Sequence, residues 1–409
     1  MLKRWNRICL CGPEEWMPDD AQPVCAPFEP LVILVRRDGL TNRGIWAIHS
    51  LAELDEPESV KCLLPCGAEE GDDELSQFVH RHGATVANTA FVRVYDLLER
   101  ILFPKKESFR VTLVGLGDVG GTVLTGLKLL GREIAEISIY DPNEAMCRRY
   151  EMELNQVLPE LPGGQMPRVS ICPEDRLFDC DLFLFTASRG VPALNSGVSD
   201  VRMAQFEANR AMLGVYAQKA REFGFGGMFC QISDPVDHLA REVFLRSNRT
   251  TDGTYDFAGL LPEQVQGFGL GVMAARAAYY AEREGIAFTQ GRMYGPHGQG
   301  LIVANCPNEG YDDKLSRHLT DLTRTANMKV RELGFKPYIA PGLSSAAVSI
   351  LRLLRGQEHY GAVPMGGVYF GCVSRMTCRG VELKREPICA ELMERLEETH
   401  RALREFNYA

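Results

Sequence analysis

The segment Gly115-Leu116-Gly117-Asp118-Val119-Gly120 constrains this chain more than any other. An apolar run over residues 110–114 precedes it, and a small-residue pattern of helical period over 121–130 follows it. Residues 134–140 form the next apolar run, which closes on Asp141. Strand, glycine turn, helix and strand in that order predict one βαβ unit. Three glycines at this spacing meet three steric demands: a tight turn at Gly115, close approach of a phosphate at Gly117, and helix–strand packing at Gly120. The free backbone N–H groups of the following helix, around Asp118 and Val119, then face an anion. At the second strand end, the Asp141 carboxylate is placed to accept hydrogen bonds from a ribose and to repel a 2′-phosphate. The expectation is a dinucleotide site for NAD rather than NADP. The bland alternative is a glycine-rich turn with a solvated Asp141.

Further strand and helix patterns follow. Residues 181–186 read as a strand entering a loop rich in Gly, Pro and Ser, 199–223 as a long helix, and 227–233 as a strand ending at Asp234-Pro235. This repetition predicts a dinucleotide-binding domain over 107–265, a doubly wound parallel sheet with helices on both faces. Residues 266–409 change style. A helix is expected over 264–284, after Gly267-x-Gly269-x-Gly271, then paired strands within 291–307 and an amphipathic helix over 312–333. A helix over 344–354 follows, with Ser344 and Ser345 as candidate caps. Short strands over 368–372, 374–377 and 380–384 lead to a terminal helix over 387–406. These patterns predict an α+β substrate domain.

Upstream, 31–106 reads as a small α/β extension, with strands near 31–36, 44–50 and 60–64 and helices over 73–82 and 91–103. Residues 1–30 hold five prolines and read as an irregular arm. The fold class is therefore α/β: a Rossmann doubly wound parallel sheet, a C-terminal α+β domain and an N-terminal α/β extension.

Composition narrows the partners. The 409 residues carry a formal net charge of -9 and no Lys/Arg run, so neither nucleic acid nor an anionic membrane is expected as a partner. No run approaches the roughly 18 apolar residues that a membrane span needs. The N-terminus lacks an apolar signal core, so the expected location is the cytoplasm. The 13 cysteines are scattered. Cys9-x-Cys11 and Cys62-x3-Cys66 lack a second ligand pair at zinc spacing, so no metal is expected.

Among eight histidines, His297 has the most permissive surroundings, Tyr294-Gly295-Pro296-His297-Gly298-Gln299-Gly300, where backbone and ligand can approach closely. Imidazole exchanges protons near neutrality, as carbonyl reduction requires. Arg276, in an alanine-rich helix, presents a planar guanidinium suited to a carboxylate. Arg202 follows the Gly/Pro/Ser loop, and Arg189 begins it. The plainer alternatives are an interdomain ion pair for Arg276 and a solvated helix terminus for Arg202.

Taken in order, these segments resemble the lactate/malate dehydrogenase family. The glycine fingerprint with Asp141, Thr186-Ala187-Ser188, Asp234-Pro235-Val236-Asp237, the run from Gly267 to Arg276, and Gly295-Pro296-His297-Gly298 follow the family's motif order. The resemblance spans about 107–400. It implies that His297 is the proton donor and acceptor, that Arg276 binds the substrate carboxylate, and that Arg202 polarises the carbonyl. It further implies that Ser344 or Ser345 stands at the family's active-site hydroxyl, that Thr186, Ala187 and Ser188 border the NAD, and that the chain forms a homodimer or homotetramer.

Three departures set this sequence apart. The family has an aspartate three residues before the carboxylate-binding arginine, paired with the catalytic histidine; Met273 stands there here. The family's asparagine is Asp234, which either repels a substrate carboxylate or serves His297 as a relocated partner. Ser188 also replaces a glycine. Two readings follow: an NAD-dependent dehydrogenase for a small 2-oxo or 2-hydroxy acid, with His297, Arg202 and Asp234 as the catalytic group, or an NAD-binding regulatory or scaffold protein on a degenerate dehydrogenase fold.

Overall fold

The computed structural model describes residues 1–67, 71–104, 108–159, 165–189, 201–406 and 408, without the side chains of 201, 202 and 204. The N-terminal part contributes β1 (Leu2–Trp5), β2 (Ile8–Cys11), β3 (Gln22–Pro23), β4 (Leu31–Val35), β5 (Ile45–Ile48) and β6 (Ala84–Asn88), with helices α1 (Glu74–His82) and α2 (Val94–Leu102). The irregular arm expected over 1–30 is thus partly sheet. β1 and β2 form a hairpin whose Ile8, Cys9 and Leu10 are fully buried, and β2 pairs in parallel with β4. Four-residue strands are too short for alternation to show; the ladder to β4 is what fixes them. The strand expected over 60–64 is a 3₁₀ turn, Val60–Leu63, started by Ser59, whose hydroxyl accepts the Lys61 N–H.

The central region follows the glycine fingerprint. Strand β7 (Phe109–Val114) leads into α3 (Asp118–Leu130), then β8 (Ile134–Tyr140), α4 (Glu144–Asn155), β9 (Arg168–Ile171), β10 (Leu182–Phe185), α5 (Val201–Glu222), β11 (Met228–Gln231), α6 (Val236–Ser247) and β12 (Val265–Gly267). These six strands are parallel, in the order β12-β11-β10-β7-β8-β9. That is the doubly wound arrangement, with its reversal between β7 and β10. Leu182, Phe183, Leu184 and Phe185 are all buried, as strands covered on both faces require. One face packs α3 through Val123, Leu124 and Leu127; the other packs α5 and α6 through Phe206, Leu213 and Phe244.

The C-terminal part holds α7 (Leu270–Arg283), β13 (Arg292–Tyr294), β14 (Ile302–Ala304), α8 (Asp313–Glu332), a π-helical stretch (Pro341–Ala347), α9 (Val348–Leu354), β15 (His359–Met365), β16 (Val368–Thr377), β17 (Gly380–Leu383) and α10 (Ala390–Arg404). The strands expected over 368–372 and 374–377 are one strand, β16, paired along its length with β15 and β17. β15 pairs with β12, and β17 pairs with β5, so one sheet of fifteen strands joins all three parts. Among the described residues no helix is long and apolar enough to cross a membrane.

Buried Glu263, just before β12, ties the N-terminal part to the parallel sheet: its carboxylate accepts the backbone N–H groups of Gly44 at 2.9 Å and Ile45 at 3.1 Å. Burial pushes this carboxyl up to about 7 from an ordinary 4.5. The folded state therefore holds the proton more tightly than the unfolded chain. Stability from this group falls as pH rises from about 4.5 to 7, by at most about 3 kcal/mol. In Glu263→Gln that loss is absent. Urea unfolding of the two proteins is expected to show a wild-type-minus-variant stability difference that declines across this window and is flat above it.

Candidate active site

At the carboxyl ends of β7 and β10 the chain leaves toward opposite faces of the sheet, which opens a crevice. The glycine turn lines it. Gly115 has φ of 97°, and a Cβ there would lie 2.5 Å from the Ala187 nitrogen. A Cβ on Gly120 would collide with the Gly115 carbonyl oxygen and the Thr186 hydroxyl. Gly117 differs from both. Its φ of -71° suits any residue, and a Cβ there would meet nothing within 4 Å. The turn thus presents empty space at the N-terminus of α3, where N–H groups lack partners within the helix.

Asp141 holds this turn. Its carboxylate accepts Leu116 N–H at 2.8 Å and Asn143 N–H at 2.9 Å, and each oxygen keeps a further lone pair for another donor. Asp118 begins α3 with its carboxylate 2.9 Å from the Lys336 ammonium, and the Val119 carbonyl lies against Gly342 of the π-helical stretch. The Thr186 hydroxyl donates to the Gly115 carbonyl at 2.6 Å, fastening the end of β10 to the turn.

A second set of bonds fixes the segments after β10 and β11. The Ser233 hydroxyl donates to the Ala187 carbonyl at 2.7 Å. Asn209, fully buried within α5, donates to the Asp234 carbonyl at 2.8 Å and accepts Arg189 N–H at 3.0 Å, with Ser188 Oγ 3.4 Å away. The Arg189 side chain is exposed. Arg202 belongs to the first turn of α5, but its side chain lies outside the described residues, as does the expected loop over 190–199.

His297 follows β13. Its Nδ1 is 2.8 Å from the Gly269 carbonyl oxygen, which can only accept; Nδ1 therefore carries the proton, and Nε2 is the lone-pair nitrogen of the neutral ring. Nε2 faces the Asp234 carboxylate at 3.7 Å. The ring is largely buried, whereas Asp234 is half exposed. The Gly269 carbonyl also accepts the Ser345 hydroxyl at 2.7 Å, and Ser345 Oγ in turn accepts Val272 N–H at 2.9 Å. Ser345 is therefore a buried brace for the histidine's acceptor rather than a helix cap. Ser344 sits beside Gly271 with its carbonyl accepting the Ser349 hydroxyl at 3.2 Å, and it does not cap the helix either.

Arg276 is partly buried in α7. It donates to the Met273 thioether at 3.7 Å and to the Asn327 side-chain oxygen. Burial lowers its pKa, while Tyr280 and Asp234 act in the opposite direction. Met273 thus occupies the guanidinium side of α7 without offering a carboxylate to the imidazole.

Three contributors were not singled out in the sequence. Asp237, on the first turn of α6, accepts the His297 backbone N–H at 2.8 Å. Asn209 carried a signal, since an asparagine inside a helix competes with the backbone and is kept there for a partner. Asn327 carried none. Among the described residues no group of three His, Cys, Asp or Glu is placed to hold a metal.

No family model and no curated protein matches this chain. Solved structures do. The lactate dehydrogenase MGS-M5 from a Medee basin deep-sea metagenome library is 18% identical, with 73% of this chain covering 98% of that one at a TM-score of 0.59. The malate dehydrogenase from Archaeoglobus fulgidus, solved with NADH, is 16% identical over 72% and 97% of the two chains, with a TM-score of 0.60. The minor L-lactate dehydrogenase from Enterococcus mundtii is 18% identical over 73% and 97%, with a TM-score of 0.58. The fold is that of the lactate and malate dehydrogenases. Those chains are matched almost whole, while about a quarter of this one lies beyond them.

Removing the Asp237 carboxylate takes the acceptor from the partly buried His297 amide. Asp237→Ala is expected to cost about 2 kcal/mol in urea unfolding. Asp237→Asn, which keeps an acceptor, is expected to cost less than half of that.

Proposed function

We propose that this protein is an NAD(H)-dependent oxidoreductase that interconverts a small 2-hydroxy acid and its 2-oxo acid. The observation that carries the reading is the fixed tautomer of His297. With Nδ1–H held by the Gly269 carbonyl, Nε2 is the atom left to exchange a proton with a substrate oxygen. The crevice fits a dinucleotide. The open space at Gly117 admits a phosphate that any Cβ would crowd, and Asp141 stands at the ribose end of β8. Gly115, Gly117 and Gly120 would hold NAD, with the N–H groups of Asp118 and Val119 at its phosphates and Thr186, Ala187 and Ser188 along its other side. When bound, NAD supplies or accepts the hydride at its nicotinamide ring.

The chain's own residues do the rest. Arg276 anchors the substrate carboxylate. His297 Nε2 gives a proton to the carbonyl oxygen during reduction and takes it back during oxidation. Arg202 draws charge onto that oxygen. In place of a carboxylate behind the ring, a neutral carbonyl orients it, which fixes the tautomer without a countercharge at Nδ1.

Met273 favours a second reading, a cofactor-binding protein of slow turnover, because a thioether cannot stabilise an imidazolium. The two are separated by NADH oxidation against a panel of 2-oxo acids. Loss of His297 in His297→Ala is expected to lower turnover by about 10²–10⁴-fold with NADH affinity unchanged. NADH binding without turnover on any 2-oxo acid supports the second reading and overturns the first.

The cofactor half is tested separately. Gly117→Ala is expected to leave the thermal midpoint unchanged and to weaken NADH binding at least about tenfold, read by nicotinamide fluorescence. Gly120→Ala, which strikes the Gly115 carbonyl, is expected to lower the midpoint.

A further inference from the structure

Asp234 is an acid with no evident use in the reaction just described. Its Oδ1 lies 3.7 Å from His297 Nε2, beyond hydrogen-bond range. Its side chain is half exposed. Arg276, the nearby cation, is bonded elsewhere, to Met273 and Asn327, and meets Asp234 only through its field. Buried Asn209 holds the Asp234 main-chain carbonyl at 2.8 Å, which fixes the backbone from which the carboxylate projects. A negative group therefore stands beside Nε2, where a substrate oxygen must enter.

For a substrate whose only charge is a carboxylate, this arrangement is unfavourable. The anion seated on Arg276 would bring a second negative charge within the field of Asp234, which already reaches the guanidinium. A cationic group on the same substrate reverses the sign of that contact and gives the Asp234 carboxylate a hydrogen-bond donor, which it has from none of the described residues. Arg276 and Asp234 then form a two-ended receptor, the partly buried guanidinium for the anion and the half-exposed carboxylate for the cation.

We infer that Asp234 is a specificity-determining residue that selects a zwitterionic substrate: a 2-oxo or 2-hydroxy acid carrying an ammonium or similar cationic group within a few bonds of the reacting carbon. This rests on the dehydrogenase reading for the placement of the carboxylate on Arg276. It goes beyond that reading in naming the charge of the remainder of the substrate.

The test is a binding measurement, so that it does not depend on turnover. The protein loaded with NADH is titrated with oxamate, N-propyloxamate and N-(2-aminoethyl)oxamate, followed by nicotinamide fluorescence. The aminoethyl compound is expected to bind wild type at least tenfold more tightly than the propyl compound of similar size. In Asp234→Asn that preference is expected to disappear, and plain oxamate is expected to bind more tightly than to wild type. Asp234→Glu, which keeps the charge, is expected to retain a reduced preference. Equal binding of the propyl and aminoethyl compounds to wild type overturns the inference, as does a preference that survives Asp234→Asn unchanged. Binding of none of the three by NADH-loaded protein overturns it too. His297-dependent turnover of 2-oxo acids without a cation preference removes this inference alone, whereas failure to bind NADH at all removes the dehydrogenase reading with it.

Discussion

Everything that this molecule places in one cleft depends on the reversal of strand order between β7 and β10. Two neighbouring parallel strands send their chains to opposite faces, and a crevice forms between them. The crevice is useful only if the backbones around it come close, and here they come close enough to exclude side chains. Gly115 lies against Ala187 and Gly120 against Gly115, with the Thr186 hydroxyl bonded across the junction. Because these contacts are backbone to backbone, their geometry is stiff. Gly117, at the start of α3, is left open.

The second half of the cleft is organised by a backbone carbonyl. Gly269 accepts from His297 Nδ1 and from the Ser345 hydroxyl, while Asp237 grips the His297 backbone from the other side. The histidine is thus oriented at ring and backbone by groups from three elements. A carbonyl is a weaker electrostatic partner than a carboxylate, and the carboxylate of Asp234 stands on the other side of the ring, 3.7 Å from Nε2.

The N-terminal part is not appended loosely. The strands of the N-terminal part continue the sheet through β5 and β17, and the buried Glu263 carboxylate closes on the amides of Gly44 and Ile45. A buried acid that must be satisfied by another segment's backbone couples the two parts energetically.

By itself the sequence determined the parallel half of the fold and the glycine turn. Both are written in local signals: apolar runs of strand length, and glycines at spacings that only a tight turn and close packing require. It also marked His297 and Arg276, because glycines around a histidine and alanines around an arginine are visible in a short window. It misjudged residues 1–30 and 60–64, whose strands and turns are too short to carry a period and are decided by ladder partners and by the Ser59 hydroxyl. What only the tertiary structure decided is which atoms meet. That Gly269 supplies the acceptor for His297, that Ser345 braces it, that Asn209 clamps Asp234, and that Asp237 reaches a backbone amide sixty residues away are contacts between distant segments. Residue type and spacing specify what a side chain can bond, and packing of the elements specifies to what.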